Sequence, residues 1–229
     1  MNSIKNAADI YISNVSVILK IIIIYSLPIL LINYYISNYF YIYFDLLGLG
    51  FIGAFVVSWI QIVVFALLQL PYIQVVIDEE GGMLKVSRIL DQVSSKMFAV
   101  YLIGLVQVIL VAIGNIFLVI PGIIILLLTL LFPYAICIDD RKGLGSLKRS
   151  AKVSSSHLFK LIGLLLIMGL LQGIIQLLIL YGGMVLTNSL LFLALMQIGT
   201  SALCIPLFTF ILALNYMNWT NYADKEVWD

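Results

Sequence analysis

Long apolar runs, separated by short polar connections, follow one another along the whole chain. A helix needs about 20 mostly apolar residues to cross a bilayer, because the hydrocarbon core is about 30 Å thick and each residue rises about 1.5 Å. The runs that reach this length predict six transmembrane helices, over about residues 15–36, 47–76, 97–119, 122–138, 158–180 and 190–216. The pattern therefore predicts an all-α fold in a single integral membrane domain over residues 1–229, with six helices in three hairpins and interfacial helices on the cytoplasmic side.

The turns between the later helices are predicted from proline and glycine. As one helix, the apolar stretch 97–138 would be roughly 60 Å long, about twice the hydrocarbon core, so it must fold back. Pro121-Gly122 predicts this turn, since proline lacks a backbone donor and glycine relieves steric limits. Gly182-Gly183 and Thr187-Asn188-Ser189 predict the turn between the last two helices.

The placement of basic residues predicts the orientation. All twelve Lys and Arg residues lie near the first helix, between the second and third, between the fourth and fifth, or after the sixth. They are Lys5, Lys20, Lys85, Arg88, Lys96, Arg141, Lys142, Lys148, Arg149, Lys152, Lys160 and Lys225. The connections 37–46, 121–122 and 181–189 contain none. Because translocation of cationic loops is disfavoured, the basic side and both termini are expected in the cytoplasm.

The overall composition agrees with a membrane protein and restricts its chemistry. Hydrophobic residues make up 63% of the 229 residues and charged residues 10%, against about 25% charged in soluble domains. A net charge of +1 gives no reason to expect nucleic acid as a partner. Cys137 and Cys204 lie in separate apolar segments and His157 is the only histidine, so neither a disulfide, a metal site nor any other cofactor is expected.

The segment before the fifth helix has amphipathic spacing. Leu144 and Leu147 recur at helical spacing, with cations on the other faces, as in a helix that lies at the lipid headgroups. Three cations are the candidate lipid-headgroup contacts: Lys148, Arg149 and Lys152. A simple anchoring segment is the alternative, and the sequence favours it, because basic interfacial clusters are common.

Uncharged polar residues lie within the predicted spans. Four were selected as candidate intramembrane polar contacts: Gln107, Asn115, Gln172 and Gln176. Gln172 and Gln176 are four residues apart and share one helix face. Such amides contribute about 0.6–2 kcal/mol each by hydrogen bonding between helices, a role that the sequence favours over a substrate path. Acidic residues fall only in predicted termini and loops, so neither a catalytic site nor a proton relay is expected.

Two stretches predict a direct internal repeat. Pro71-Tyr72 ends the second predicted helix, before an acidic, glycine-containing connection and the mixed segment 83–95. Pro133-Tyr134 ends the fourth, before a similar connection and the segment 144–156. Leu-Ile-Gly-Leu follows in both copies, which predicts a cytoplasmic amphipathic helix leading into a transmembrane helix.

The second copy also resembles a known family. Ile120-Pro121-Gly122, Pro133, Asp139-Asp140, Gly143 and Leu147-Lys148-Arg149-Ser150 resemble the YciC family of uncharacterised bacterial inner-membrane proteins. They are also similar to the membrane domain attached to some glycerophosphodiester phosphodiesterases. The resemblance covers about residues 70–180 and departs at Ala151, where the family often has an aromatic residue. It implies a six-helix domain of the bacterial inner membrane and no activity, since the relatives' reaction belongs to a separate soluble domain.

Three functions remain open on the sequence. The expected one is a non-enzymatic membrane protein that handles lipid or supports envelope homeostasis, with membrane lipids as partners. The second is an accessory or immunity-type subunit that binds another membrane protein or forms a homo-oligomer. The third is a small-solute transporter or export permease, which the absence of ionisable residues at depth disfavours.

Overall fold

The computed structural model describes residues 3–80, 84–117, 119–186 and 189–220, and all regular secondary structure within them is helical. The helices are α1 (Ser3–Ser13), α2 (Val15–Ile21), a π-helical turn (Ile22–Ser26), α3 (Leu27–Leu46), α4 (Gly50–Glu80), α5 (Val86–Phe117), α6 (Val119–Thr129), α7 (Phe132–Cys137), α8 (Leu144–Ser156), α9 (Leu158–Leu186) and α10 (Leu190–Thr220).

The prediction of six helices long and apolar enough to cross a membrane is confirmed for the described residues. The stretches long and apolar enough to span are Val15–Leu46, Gly50–Glu79, Val86–Ile116, Val119–Cys137, Leu158–Val185 and Leu191–Thr220. The first combines α2, the π-helical turn and α3, and the fourth combines α6 and α7. Consecutive spans pack against one another, and α10 also packs along α1 and α4.

The helices are longer than predicted at several ends. The first span continues to Leu46, so the aromatic residues between Tyr34 and Phe44 lie on α3 and not in a loop. Tyr39 and Tyr43, one helical turn apart, stack with ring centroids 6.1 Å apart. The chain turns later, at Gly48, whose φ of +70° suits glycine because it has no Cβ to clash.

The predicted turn at Pro121-Gly122 is wrong by a few residues. Both residues lie in the first turns of α6, which begins at Val119, whereas α5 ends at Phe117; residue 118 lies outside the described residues. Proline is accepted at Pro121 because the first N–H groups of a helix have no acceptor within it. Gly182-Gly183 likewise lie inside α9, not in a turn. Of the predicted Thr187-Asn188-Ser189 turn, Thr187 and Asn188 lie outside the described residues.

Two glycines, one near the end of α5 and one near the beginning of α6, allow these helices to approach each other closely. A Cβ atom added to Gly114 would lie 2.8 Å from the Cα atom of Gly122. A Cβ atom added to Gly122 would overlap the side-chain amide of Asn115. The amide of Asn115 therefore lies against the backbone of α6, and the contact requires small residues on both helices.

Prolines interrupt the backbone hydrogen bonds of the first two spans. A shifted backbone bond compensates in the first span, and a tyrosine side chain compensates in the second. Pro28 lacks an N–H, and the π-helical turn before it is closed by the Leu27 N–H donating to the Ile22 carbonyl. Pro71 deprives the Leu67 carbonyl of its helical donor. The Tyr25 hydroxyl donates to that carbonyl at 3.0 Å. These contacts join the π-helical turn to α4.

Polar contacts join α1 to α10 and the residue after α1 to the end of α4. Ser3 Oγ donates to Asn215 Oδ1 at 3.4 Å, which holds α1 against α10. Asn14 donates to Glu79 at the end of α4. Asp78, one residue earlier, is buried inside α4, where Gln74 Nε2 donates to its Oδ1 at 2.9 Å. The prediction that acidic residues fall only in loops is therefore wrong, because the helices extend past their apolar cores.

The two predicted interfacial segments differ in structure. Residues 144–156 form the separate helix α8, which ends at His157 before α9 begins. The corresponding first segment, from Val86 onward, is the beginning of α5 and is continuous with the third span. The third span therefore begins earlier than the predicted residue 97. Residues 81–83 and Lys225 lie outside the described residues.

The glycine contact between α5 and α6 gives a test of the fold. Gly114→Ala is expected to destabilise the protein by about 1–3 kcal/mol, because the new methyl group meets backbone that cannot rotate away. Thermal unfolding in detergent measures the change. Gly169→Ala is the matched control, since a Cβ atom there meets nothing within 4 Å. Equal melting temperatures for the two variants would contradict this contact.

Candidate functional site

Amide and hydroxyl side chains of α3 and α4 form a hydrogen-bonded group within the bundle. Asn33 Nδ2 donates to Gln61 Oε1 at 3.1 Å, and Gln61 Nε2 donates to Ser37 Oγ at 3.3 Å. Asn33 is buried, whereas Gln61 remains exposed. The carboxamide of Gln61 can form further hydrogen bonds, and lipid tails cannot supply them.

A second group of polar side chains joins α9 to α10. Gln176 Nε2 donates to Ser201 Oγ at 2.9 Å and to the Gln197 carbonyl at 3.2 Å. Gln172 Nε2 donates to the same Ser201 Oγ at 3.3 Å. Gln172 and Gln176, which were predicted to share one face of the fifth span, therefore both bind the hydroxyl group of Ser201.

The two groups face each other across a cavity of about 340 Å³, which we call the polar chamber. Its polar lining consists of Asn33, Tyr34, Ser37, Gln61, Gln176, Gln197 and Ser201. All of these side chains are uncharged at neutral pH. The chamber can thus donate and accept hydrogen bonds without supplying a charge.

A first apolar chamber of about 330 Å³ continues from the polar chamber between α3, α4, α9 and α10. The two cavities share Leu30, Gln61 and Ser201. Most of the remaining lining is apolar: Val64, Leu68, Leu165, Met168, Phe208 and Leu212. Its outer wall is α9, the least buried span, in which 6% of the most apolar window is buried.

A second apolar chamber of about 310 Å³ lies between α4, α5 and the fourth span. It shares Gln61 and Phe65 with the first apolar chamber, so these two side chains separate the two cavities. Gln107 lies at its wall and donates from Nε2 to Thr129 Oγ1 at 3.0 Å. We call the three neighbouring chambers, all of which Gln61 lines, the groove.

Two carboxamide oxygens on the groove have no hydrogen-bond partner among the described residues. They are Gln69 Oε1, beside the second apolar chamber, and Gln172 Oε1, beside the first. A buried polar atom without a partner costs about 1–3 kcal/mol. Both oxygens are buried within the protein, so Gln69 and Gln172 border the groove without exposing these atoms to it.

The structure divides the four predicted intramembrane residues. Gln107, Gln172 and Gln176 all line the groove, whereas Asn115 lies apart, against Gly122. Asn33, Ser37 and Ser201 were not selected as candidates from the sequence. Asn33 carried a signal, since it is an amide inside the first apolar run, but the serines did not, because serine is common in packed membrane helices.

The three predicted headgroup cations have different surroundings. Lys148 and Lys152 are exposed on α8. Arg149 Nε donates to Asp139 Oδ2 at 2.6 Å, and the Tyr216 hydroxyl donates to the same oxygen at 2.9 Å. The side chain of Asp139 is only 3% exposed. Arg149 is thus held in a contact between α8, the loop after α7, and α10.

The charge of Arg149 is fixed by this contact. Burial alone lowers the pKa of its guanidinium, but the hydrogen bond to Asp139 and the charge of that carboxylate outweigh burial, so the pKa lies above its ordinary value. Arg149 therefore stays cationic at any physiological pH and its charge is directed inward. The exposed cationic face of α8 consists of Lys148 and Lys152, while Leu147 and Ser150 face the bundle.

A comparison with protein families matches the chain over α5 to α10. The family model is described as a domain of unknown function, DUF7847, and it matches residues 82–219, more than half of the chain. No curated protein and no solved structure matches. The matched part contains Gln107, Gln172, Gln176 and the whole of α8, whereas Asn33 and Gln61 precede it.

The ion pair between Arg149 and Asp139 gives a test of the contact between α8 and the loop after α7. Asp139→Asn is expected to lower the stability by about 2 kcal/mol, since Arg149 loses the carboxylate charge that it contacts while remaining partly buried. Asp140→Asn is the matched control: that side chain is 83% exposed and lies 3.4 Å from Lys96, so about 0–1 kcal/mol is expected. Melting curves of both variants decide, and the prediction fails if Asp140→Asn costs as much.

Proposed function

The chain belongs to DUF7847, a family of unknown function, and we propose from the groove that it is a non-enzymatic membrane protein that handles lipid by binding it within the bilayer. The observation that carries this proposal is the joining of an uncharged polar chamber to two apolar chambers through Gln61. A lipid has the same division into a hydrogen-bonding part and apolar chains. The described lining offers amides and hydroxyls, which bind and orient, and no ionisable side chain placed as an acid or base.

The exposed face of α8 supports a second lipid contact. Lys148 and Lys152 lie on the same face of α8 four residues apart, and the exposed Leu144 is one turn earlier on that face. Cations next to apolar side chains match the boundary between anionic headgroups and acyl chains. In this proposal α8 contacts anionic headgroups through Lys148 and Lys152, and Arg149 positions the helix through Asp139.

The proposed location is the bacterial cytoplasmic membrane, with three hairpins and both termini in the cytoplasm. Positively charged side chains gather where α5, α7 and α8 meet, and the opposite connections lack Lys and Arg in the sequence. This asymmetry follows the positive-inside rule. A relation to the YciC family is part of the same proposal, because its signature, from Ile120 to Ser150, lies within the matched residues 82–219.

Lipid retention tests the function. The full chain, purified in mild detergent, is expected to keep bound lipid in native mass spectra. Gln61→Leu is expected to lower the bound fraction about fivefold, since the loss of one intramembrane hydrogen-bond contact costs about 1 kcal/mol. Asn38→Leu is the matched control: Asn38 is an exposed amide on α3 that donates to the Tyr34 carbonyl at 2.8 Å and is not among the residues that line the chambers.

Three outcomes of that experiment separate the proposed function from its alternatives. Equal lipid retention by Gln61→Leu and Asn38→Leu would remove the groove from the proposal. A stoichiometric protein partner in place of lipid would favour an accessory subunit. A protein with neither lipid nor partner would contradict the proposal and leave solute transport to be tested.

Labelling of single cysteines tests the orientation. With Cys137 and Cys204 replaced by alanine, cysteine is introduced in separate variants at Leu47 and at Lys142, both exposed. A membrane-impermeant maleimide is expected to label Leu47→Cys in intact spheroplasts and Lys142→Cys only after permeabilisation. The reverse pattern would place the basic side outside and contradict the proposed orientation.

A further inference from the structure

We infer that the polar chamber binds an uncharged group with several hydroxyls, of the sugar class, either free or as the head of a lipid. The inference rests on the proposed function for the lipid, but not for the group itself. Three observations carry it: the chamber supplies no charge, hydrogen-bonding groups of α9 and α10 remain open at one wall, and the facing wall is already paired.

The lining of the polar chamber offers a ligand no opposite charge. None of the described lining residues is Asp, Glu, Lys, Arg or His. Ser201 lies one helix length away from the charges of the other end: roughly 22 Å along α10 separate it from Tyr216, which contacts Asp139. A phosphate or ammonium group in the chamber would lose its water without gaining a counter-charge, which is costly in a membrane interior. An uncharged ligand is therefore favoured.

Three side chains of α9 and α10 leave hydrogen-bonding groups open at the chamber. Gln176 Nε2 donates to both Ser201 Oγ and the Gln197 carbonyl, so these three residues lie close together. Among the described residues, Gln176 Oε1 has no donor, the Ser201 hydroxyl has no acceptor, and the side-chain amide of Gln197 has no partner. Unlike the unpaired oxygens beside the apolar chambers, Gln176 Oε1 and the Gln197 amide are not buried, so a ligand can reach them.

These open groups call for more than one hydroxyl on the ligand. They include acceptors, at Gln176 and Gln197, and donors, at Ser201 and Gln197. A hydroxyl both donates and accepts, whereas an ester or ether oxygen only accepts and would leave Gln176 Oε1 unpaired. The chamber volume of about 340 Å³ is at the lower end of the range for small-molecule sites, about 300–1,000 Å³, which suits one compact group.

The facing wall of the chamber, on α3 and α4, is already paired. Asn33 donates to Gln61, and Gln61 donates to Ser37. Ser37 Oγ in turn donates to Asn33 Oδ1 at 3.4 Å, which closes the group. This wall therefore contributes its shape and one remaining N–H of Gln61, while most hydrogen bonds to the ligand come from α9 and α10.

A competition among three lipids with identical chains tests the head group. Equal amounts of glucosyl-dioleoylglycerol, dioleoylglycerol and dioleoylphosphatidylglycerol are offered to the delipidated full chain in a detergent without sugar groups, and bound species are counted by native mass spectrometry. A Lys148→Gln, Lys152→Gln background removes phosphatidylglycerol held by α8 from the count. The glucosyl lipid is expected to exceed each of the others about tenfold, since its head adds about two hydrogen bonds.

A substitution at the open amide tests where the head binds. Gln197→Leu is expected to lower binding of the glucosyl lipid severalfold and to leave the melting temperature unchanged, because the Gln197 amide bonds no described residue. Thr200→Val is the matched control on α10, and binding is expected to stay unchanged. Thr200 Oγ1 donates to the Met196 carbonyl at 2.9 Å, and Thr200 is not among the residues that line the chamber.

Free methyl glucoside, titrated against the delipidated chain, separates the inference from the function on which it rests. If methyl glucoside binds through Gln197 and no lipid binds, the inferred chemistry stands and the proposed lipid function fails. If the glucosyl lipid binds no better than the other two, or equally well to Gln197→Leu and Thr200→Val, the inference is wrong although lipid binding stands. If neither methyl glucoside nor any of the lipids binds, both fail.

Discussion

Backbone carbonyls that lose their helical donors control how this protein packs. Within a bilayer no water is available to satisfy them, so another part of the protein must do so. Pro71 frees the Leu67 carbonyl, which accepts from Tyr25. The end of α6 frees the Leu128 carbonyl, which accepts from Ser150 Oγ at 2.8 Å, and the Cys137 carbonyl at the end of α7 accepts from Lys96 Nζ at 3.1 Å. Each interruption of a helix thereby becomes a contact with another helix.

These contacts explain why the interruptions do not unravel the bundle. Tyr72, Tyr134 and Tyr216 are fully buried near the helix breaks, and Tyr134 stacks on Tyr216 at 6.0 Å. The hydroxyl groups of Ser26 and Tyr72 lie 2.6 Å apart and share a hydrogen bond beside the π-helical turn. Large rings fill the space beside these interruptions, while the hydroxyl groups of Tyr72 and Tyr216 pair with Ser26 and Asp139. These buried tyrosines and their contacts lie toward the end of the molecule that contains α7, α8 and the later part of α10.

The groove occupies the part of the molecule where such contacts are fewer. Its wall is formed by α9, which packs mainly against α10 and is otherwise largely exposed. Gln172 and Gln176 hold these two helices together through Ser201, and Asn33 and Gln61 join α3 to α4 on the facing side. The same amides that join the helices in pairs also provide the hydrogen-bonding surface between the pairs. In the proposed function, structural and ligand-binding roles coincide in these residues.

The sequence by itself determined the fold class and the six spans, because the length of an apolar run is set by the thickness of the bilayer and needs no knowledge of neighbours. It also determined that α8 is a separate amphipathic helix. It did not determine the turns: Pro121 is compatible both with a turn and with the first turn of a helix, and only the Gly114–Gly122 contact fixes the reversal before it. The grouping of Asn33, Gln61, Gln176 and Ser201, and the pairing of Arg149 with Asp139, were decided by tertiary structure. These residues lie on different helices or on opposite sides of a turn, and hydrophobic periodicity reports the direction of a side chain on its own helix but not the partner that it meets.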